Sequence, residues 1–328
     1  MNTNSNKLLF FLILLFVANS CHKQVTKEML VFKDFPNLKI GFSTQNFQKA
    51  VSLSVESLTQ IIEYAAKEGF QFIELRDDVA GLSVSECKEL AYIAKKNEIE
   101  IIYEIQKNPL DTGFFKVFEK SFENVMLLPG PGILRTVISK SEFDADTTKK
   151  GWNIEELLQL SVIADSCAVI AEGKNIKFIV ENFNESFFGD SLSYFGLTDF
   201  FAHTSITGLQ FDISNPFSKN ARERSDPDKV VQYLSTMGDR WITSHLKAIY
   251  AMGGSMQPIL TENPIPIEKV VSLMGQQNVC YAALELASAN YLQQCFINHT
   301  SSINYLIEKN ILYKVRYIFT ISHLSLLP

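Results

Sequence analysis

The sequence predicts an α/β chain folded as a single (β/α)8 barrel, and three observations carry that expectation. Between Leu38 and Ile311, short β-rich runs alternate eight times with amphipathic helical stretches. Such strict alternation marks right-handed βαβ units and a parallel sheet. Most of the runs are dominated by Ile, Val, Phe and Leu, as strands buried on both faces must be. Finally, the first run leads into Ser43-Thr44-Gln45-Asn46 and not into the glycine-rich phosphate turn of an open, doubly wound sheet. The 328 residues leave room for a barrel of about 250.

In order, the expected strands are Leu38–Ser43, Phe70–Arg76, Glu98–Ile105, Asn124–Leu128, Ile176–Asn182, Gly208–Ile213, Ile242–Lys247 and Tyr281–Leu286. After the first strand, Ser54 is placed to cap a helix over Val55–Lys67, whose Leu58, Ile61, Ile62 and Ala65 share one face before Gly69 ends it. Ser83-Val84-Ser85-Glu86 reads as a capping box opening Val84–Lys96. Asp226-Pro227 supplies an N-cap and a first-turn proline for a helix reaching Met237 and Gly238. Helix formers over Phe114–Phe122, Ile154–Glu172, Leu192–Phe201, Ile265–Met274 and Ala287–Glu308 complete the series.

The composition, 46% hydrophobic and 20% charged, is that of a chain with a sizeable core. A net charge of −6 and no basic cluster exclude a nucleic-acid partner. Residues 1–21 read as a signal peptide: Lys7 is the only charge, Leu8 to Val17 is unbroken apolar sequence, and Ala18-Asn19-Ser20-Cys21 offers small residues for cleavage. The apolar run is too short for a spanning helix, which needs roughly 20 residues. Its end resembles the lipobox of bacterial lipoproteins, which implies lipidation of Cys21; an ordinary cleaved signal is the alternative. Residues 22–37 are expected to tether this segment to the barrel at 38–311, and residues 312–328 form a C-terminal tail to which no role attaches. The remaining cysteines, Cys87, Cys167, Cys280 and Cys295, lack C-x-x-C spacing and sit in apolar stretches as small core residues.

In a barrel of this kind, chemistry sits at the carboxyl ends of the strands. The fifth strand ends Phe178-Ile179-Val180-Glu181-Asn182, the sixth Gln210-Phe211-Asp212, the seventh Thr243-Ser244-His245 and the eighth Ala283-Leu284-Glu285. Each apolar run therefore ends on one ionisable residue, which is costly to bury unless paired or bound to a cation. Three carboxylates and an imidazole converging at one mouth call for a divalent ion, and this oxygen-rich set suits Mn²⁺, Mg²⁺, Co²⁺ or Zn²⁺.

The order Glu181, Asp212, His245 and Glu285 on strands five to eight resembles the xylose-isomerase-like TIM barrel superfamily, the sugar phosphate isomerase/epimerase group that includes ketose 3-epimerases. Glu74-Leu75-Arg76 on strand two and His245-Leu246-Lys247 on strand seven strengthen a likeness that spans Leu38 to Asn310. The resemblance implies one divalent metal ion on Glu181, Asp212, His245 and Glu285. Glu181 and Glu285 would move a proton beside the substrate carbonyl through an enediolate. Glu74, Arg76, Asn184 and Lys247 would bind a small carbohydrate-like substrate, Arg76 and Lys247 alternatively forming salt bridges at the mouth. The chain departs from the pattern at Asp212-Ile213-Ser214-Asn215, where ketose epimerases usually carry His three residues after the Asp, and in the loop Asn182-Phe183-Asn184-Glu185.

A metal-dependent lyase or hydrolase acting on a modified glycoside, and a non-catalytic carbohydrate-binding lipoprotein, are the alternative readings. The expected location is the periplasmic side of a membrane, held by lipid on Cys21, or else soluble in the periplasm or secreted. Expressed in a bacterial host fed a radiolabelled fatty acid, the full chain is expected to incorporate label and Cys21→Ser to lose it. Unlabelled wild type of the cleaved length would establish an ordinary secretory signal instead.

Overall fold

A computed structural model describes residues 22–138, 152–182, 196–217, 226–249 and 256–322. Residues 1–21 with Cys21, the loop carrying Asn184, residues 192–195 of the helix expected over Leu192–Phe201 and the tail beyond Ser322 lie outside the described residues. The described elements run β1 (His22–Phe32), β2 (Lys39–Ser43), α1 (Val55–Glu68), β3 (Phe72–Arg76), α2 (Val84–Lys96), β4 (Glu100–Glu104), α3 (Phe114–Leu127) and β5 (Ile133–Ile138). They continue α4 (Ile154–Glu172), β6 (Lys177–Asn182), α5 (Leu197–Ala202), β7 (Gly208–Asp212), α6 (Pro227–Leu234), β8 (Trp241–Lys247), α7 (Ile267–Gln276), β9 (Tyr281–Glu285), α8 (Leu292–Glu308) and β10 (Leu312–Ser322). Strands β2 to β9 form a closed parallel barrel in sequence order, with β9 pairing back onto β2. The (β/α)8 expectation holds.

Local signals operate as their chemistry requires. The Ser54 side chain accepts from Ser57 N, Ser83 and Glu86 form a reciprocal capping box, and Gly69 ends α1 at φ +90°. One expected strand is wrong. Asn124–Leu128 is the end of α3, because Phe114, Phe118, Phe122 and Val125 continue one buried helical face. The fourth barrel strand is Ile133–Ile138, buried at every position and reached through Pro129-Gly130-Pro131-Gly132. Helix α6 ends at Leu234, short of Met237.

The segments outside the barrel pair with one another. β1 and β10 form an antiparallel ribbon from His22 opposite Ser322 to Phe32 opposite Leu312. Leu30, Phe32 and Leu312 bury its root in the outer core, and Leu30 N donates to Gly69 O. No helix among the described residues is long and apolar enough to cross a membrane.

The barrel interior changes character partway up. Phe72, Ile102, Ile133, Ile179, Ile242 and Tyr281 pack together near its amino end. Two residues further along the same strands stand Glu74, Glu104, Arg135 and Glu181, all buried. Side chains on one face of a strand recur every two residues, so the apolar floor passes directly into a charged layer. β8 would break this phase, since Ile242 faces inward and continued alternation would turn Ser244 and Leu246 inward. A bulge restores it: Leu209 pairs with Trp241 but Gln210 with Thr243. The extra residue swings His245 and Lys247 into the barrel.

Floor packing also explains Gly41 on β2. A Cβ there would stand 2.4 Å from Phe72 O and 2.6 Å from its ring. Gly41→Ala is therefore expected to cost about 1–3 kcal/mol through overpacking, read as a lower Tm in thermal unfolding. An unchanged Tm would show that the ring of Phe72 does not fill this seam.

Candidate metal centre

The strand ends bring Glu181, Asp212, His245 and Glu285 together, with one donor atom from each inside a 4.8 Å span. All four are buried. Their order around the barrel follows from register, which sets Asp212 beside His245 and Lys247 beside Glu285.

His245 is the hub. Its Nε2 donates to Glu74 Oε2 at 2.6 Å, and Glu74 Oε1 accepts from Gln210 Nε2 at 2.6 Å. The other ring nitrogen, Nδ1, faces Glu285 Oε2 at 2.6 Å, Glu181 Oε1 at 3.2 Å and Asp212 Oδ2 at 3.7 Å. A carboxylate that accepts from Nε2 fixes the tautomer of the neutral ring, whose Nδ1 lone pair would then be turned to a cation, the usual arrangement around a metal-bound histidine. Glu74 thus lies below His245 and orients it.

Two further cations frame the cluster. Arg135 grips Glu104 through Nε (3.2 Å) and Nη2 (2.7 Å) and reaches Glu181 Oε2 with Nη1 (3.0 Å). Lys247 Nζ lies 2.9 Å from Asp212 Oδ2, 3.2 Å from Glu285 Oε1 and 3.0 Å from Asn215 Oδ1. The expected mouth salt bridge of Arg76 also forms, but to Asp78 (2.6 Å) and beside Gln45. Arg76 borders a separate groove of about 300 Å³ with Thr44, Phe47 and Asp77.

Backbone geometry at Asp212 is set by an asparagine. Asn182 Oδ1 accepts from Asp212 N (2.6 Å) and its Nδ2 donates to Asp212 O (3.0 Å), while Asp212 Oδ1 accepts from Ser214 N and Asn215 N. Asp212 Oδ1 is therefore committed to the backbone, whereas Asp212 Oδ2 meets the Lys247 ammonium and Glu285 Oε2 meets His245 Nδ1.

The titration behaviour follows from these contacts. Burial alone would raise Glu181 and Glu285, but Arg135 and His245 hold Glu181 below the usual carboxylate range, and Lys247 and His245 hold Glu285 well below it. Burial outweighs Lys247 at Asp212 and raises it. It also pushes Glu104 up to about 8 despite Arg135. Burial opposes charge on His245, yet Glu74, Glu285 and Glu181 together raise it well above the ordinary imidazole value.

These residues fit a divalent cation. Five buried carboxyl groups, Glu74, Glu104, Glu181, Asp212 and Glu285, face two permanent cations, Arg135 and Lys247. With His245 neutral, as a metal ligand must be, the five carboxylates exceed the two cations by three charges, an excess that one divalent ion would reduce to one. Asp212 Oδ2, Glu285 Oε2 and an oriented imidazole nitrogen converge within one 4.8 Å span. Hard oxygen donors with a single nitrogen are the ligands such ions take.

Sequence reasoning missed Arg135, Glu104 and the asparagines. Arg135 was out of reach because the fourth strand was placed elsewhere; the run Ile-Leu-Arg-Thr-Val-Ile after a Pro-Gly turn is the signal that finds it. Glu104 lies two residues beyond the inward-facing Ile102.

No protein family model matches the chain, and no curated protein matches it significantly. Solved structures do. A D-allulose 3-epimerase from Methylomonas sp. superposes with a TM-score of 0.60 at 14% identity, over 85% of this chain and 99% of its own. A sugar phosphate isomerase/epimerase from Parabacteroides distasonis gives 0.59 at 12% identity, over 82% and 95%. A xylose isomerase-like TIM barrel protein from Mycobacterium smegmatis, in complex with magnesium, gives 0.58 at 15% identity, over 83% and 97%. What they share with this chain is the fold.

Removing Arg135 strands Glu104 and Glu181 without a counter-charge. Arg135→Met is expected to cost about 3–5 kcal/mol in urea unfolding, and adding Glu104→Leu should restore part of that loss. Equal losses in the single and double variants would show that Arg135 is retained for Glu181 alone.

Proposed function

We propose that this chain is an exported, divalent-metal-dependent isomerase or epimerase that moves a proton beside the carbonyl of a small carbohydrate-like substrate. One observation carries the reading: His245, oriented from below by Glu74, turns Nδ1 toward an oxygen of each of Glu285, Glu181 and Asp212. The fold shared with solved sugar epimerases supports the same chemistry but does not by itself assign it.

Glu181, Asp212, His245 and Glu285 would hold the ion. When bound, it supplies a Lewis acid that polarises a substrate carbonyl and acidifies the neighbouring C–H. The protein residues then divide the work. Asp212, with one oxygen committed to the backbone, and His245, held by Glu74, serve as fixed ligands. Glu181 and Glu285 each have a cation holding them ionised, Arg135 and Lys247 respectively, so both enter the reaction as carboxylates ready to take a proton. One removes the proton from one face of the substrate and the other returns it on the opposite face, which inverts the carbon. The Lys247 ammonium stands beside Glu285 and Asp212, where it can meet negative charge that develops on substrate oxygens. Arg76 and Asn184 remain proposed substrate contacts, and the apolar run before Cys21 supports export and a lipid anchor.

The test is solvent exchange. The full chain loaded with Mn²⁺ and incubated in D₂O with D-allulose or a related free ketose is expected to place deuterium beside the carbonyl. Glu181→Gln and Glu285→Gln should each slow exchange by roughly 10²- to 10⁴-fold. A metal-loaded protein that leaves every such sugar unlabelled would sink the proton-transfer reading.

A further inference from the structure

Glu285 ends β9, and the barrel ladder fails on one side of it. Toward β8 the pairing runs through Lys247 opposite Glu285, and Ala248 N donates to Glu285 O at 2.9 Å. Toward β2 it stops one residue earlier, at Phe42 opposite Leu284. Beyond that point a side chain takes over. Asn46, buried in the short turn Thr44–Phe47 after β2, donates from Nδ2 to Leu284 O (3.0 Å) and accepts at Oδ1 from Leu286 N (2.9 Å). These two backbone groups bracket Glu285.

A third contact fixes the amide itself. Asn46 Nδ2 lies 2.8 Å from His299 Nε2 on α8. His299 Nδ1 lies 2.8 Å from Cys295 O, and a carbonyl only accepts, so Nδ1 carries the proton and Nε2 is left to accept from Asn46. Both Nδ2 hydrogens and Oδ1 of Asn46 are thereby engaged, and the amide cannot turn over without breaking all three bonds. The imidazole is clamped in its own right, stacked on Phe47 at 5.0 Å and 6° and tilted against Phe42 at 4.8 Å. Burial keeps it neutral at ordinary pH, lowering its pKa to about 4, which preserves the accepting nitrogen.

We infer that Asn46 is a positioning residue for Glu285, extending the β2 ladder by one side chain, and that His299 holds Asn46 in that role. Asn182 performs the matching service for Asp212 from β6, so two of the three carboxylates in the cluster have their backbone clamped by an asparagine. The inference rests on the metal-centre reading, since what it explains is how the Glu285 carboxylate is presented to the ion.

Mn²⁺ titration of the full chain, followed by calorimetry, tests it alongside the Tm of each metal-free protein. Asn46→Ala is expected to weaken Mn²⁺ binding by about 10- to 100-fold, the range for loss of a group that orients a ligand. His299→Phe removes the acceptor and should weaken binding about tenfold, whereas His299→Gln, whose Oε1 can accept from Asn46, should stay within about threefold of wild type. Leu160→Ala, a buried change on α4, should lower Tm and leave Mn²⁺ affinity alone, which separates positioning from general destabilisation. Wild-type affinity in Asn46→Ala, or in His299→Phe should Asn46→Ala not fold, overturns the inference while the metal centre stands. A wild-type chain that binds no Mn²⁺ overturns the metal-centre reading and takes this inference with it.

Discussion

Burying five carboxyl groups in the upper half of one barrel demands compensation, and most of the structure around them supplies it. A lone ionised carboxylate in a low-dielectric interior costs several kcal/mol even after relaxation, so each needs a counter-charge or a proton. Arg135 spans Glu104 and Glu181, Lys247 spans Asp212 and Glu285, and His245 touches Glu74, Glu181 and Glu285. Negative charge still exceeds positive at the point where Nδ1 of His245 meets Asp212 Oδ2 and Glu285 Oε2. A divalent cation would offset that excess, with the imidazole then passing from charge carrier to ligand.

Holding such a cluster requires strand ends that do not fray, and three devices provide them. The bulge on β8 brings His245 and Lys247 into phase with the inward faces of its neighbours. Asn182 and Asn46 replace backbone partners where the ladder runs out. Below, the apolar floor from Phe72 to Tyr281 fills the barrel beneath the charged layer. Rigid support of this kind keeps donors where a reaction needs them without reorganisation.

Of the two departures from the ketose epimerase pattern, the one after Asp212 lies among the described residues. Where the resemblance implies a histidine three residues after the strand-end aspartate, Asn215 accepts from Lys247 and donates to Asn182 O. An amide there carries no proton to relay, but it aims an ammonium at the cluster. The barrel shares only its fold, at 12–15% identity, with solved structures that include a D-allulose 3-epimerase.

How much of this was legible beforehand follows from range. Alternating apolar runs, the caps at Ser54 and Ser83, and a charged residue ending each of the last four strands are local patterns, so the barrel and the meeting of Glu181, Asp212, His245 and Glu285 could be read along the chain. The fourth strand could not, because Asn124–Leu128 is apolar enough for either state and only the buried face shared with Phe114 and Phe118 decides for helix. Nor could the roles of Glu74, Arg135, Asn46 and His299. Asn46 and His299 stand 253 residues apart in sequence yet 2.8 Å apart in space, and no periodicity records such a pair. Sequence by itself determined which residues face inward on most strands, since alternation is a property of the extended backbone. Only the closed barrel decided what each of them touches, because ion pairs and hydrogen bonds depend on register, on one bulge and on the return of β9 to β2.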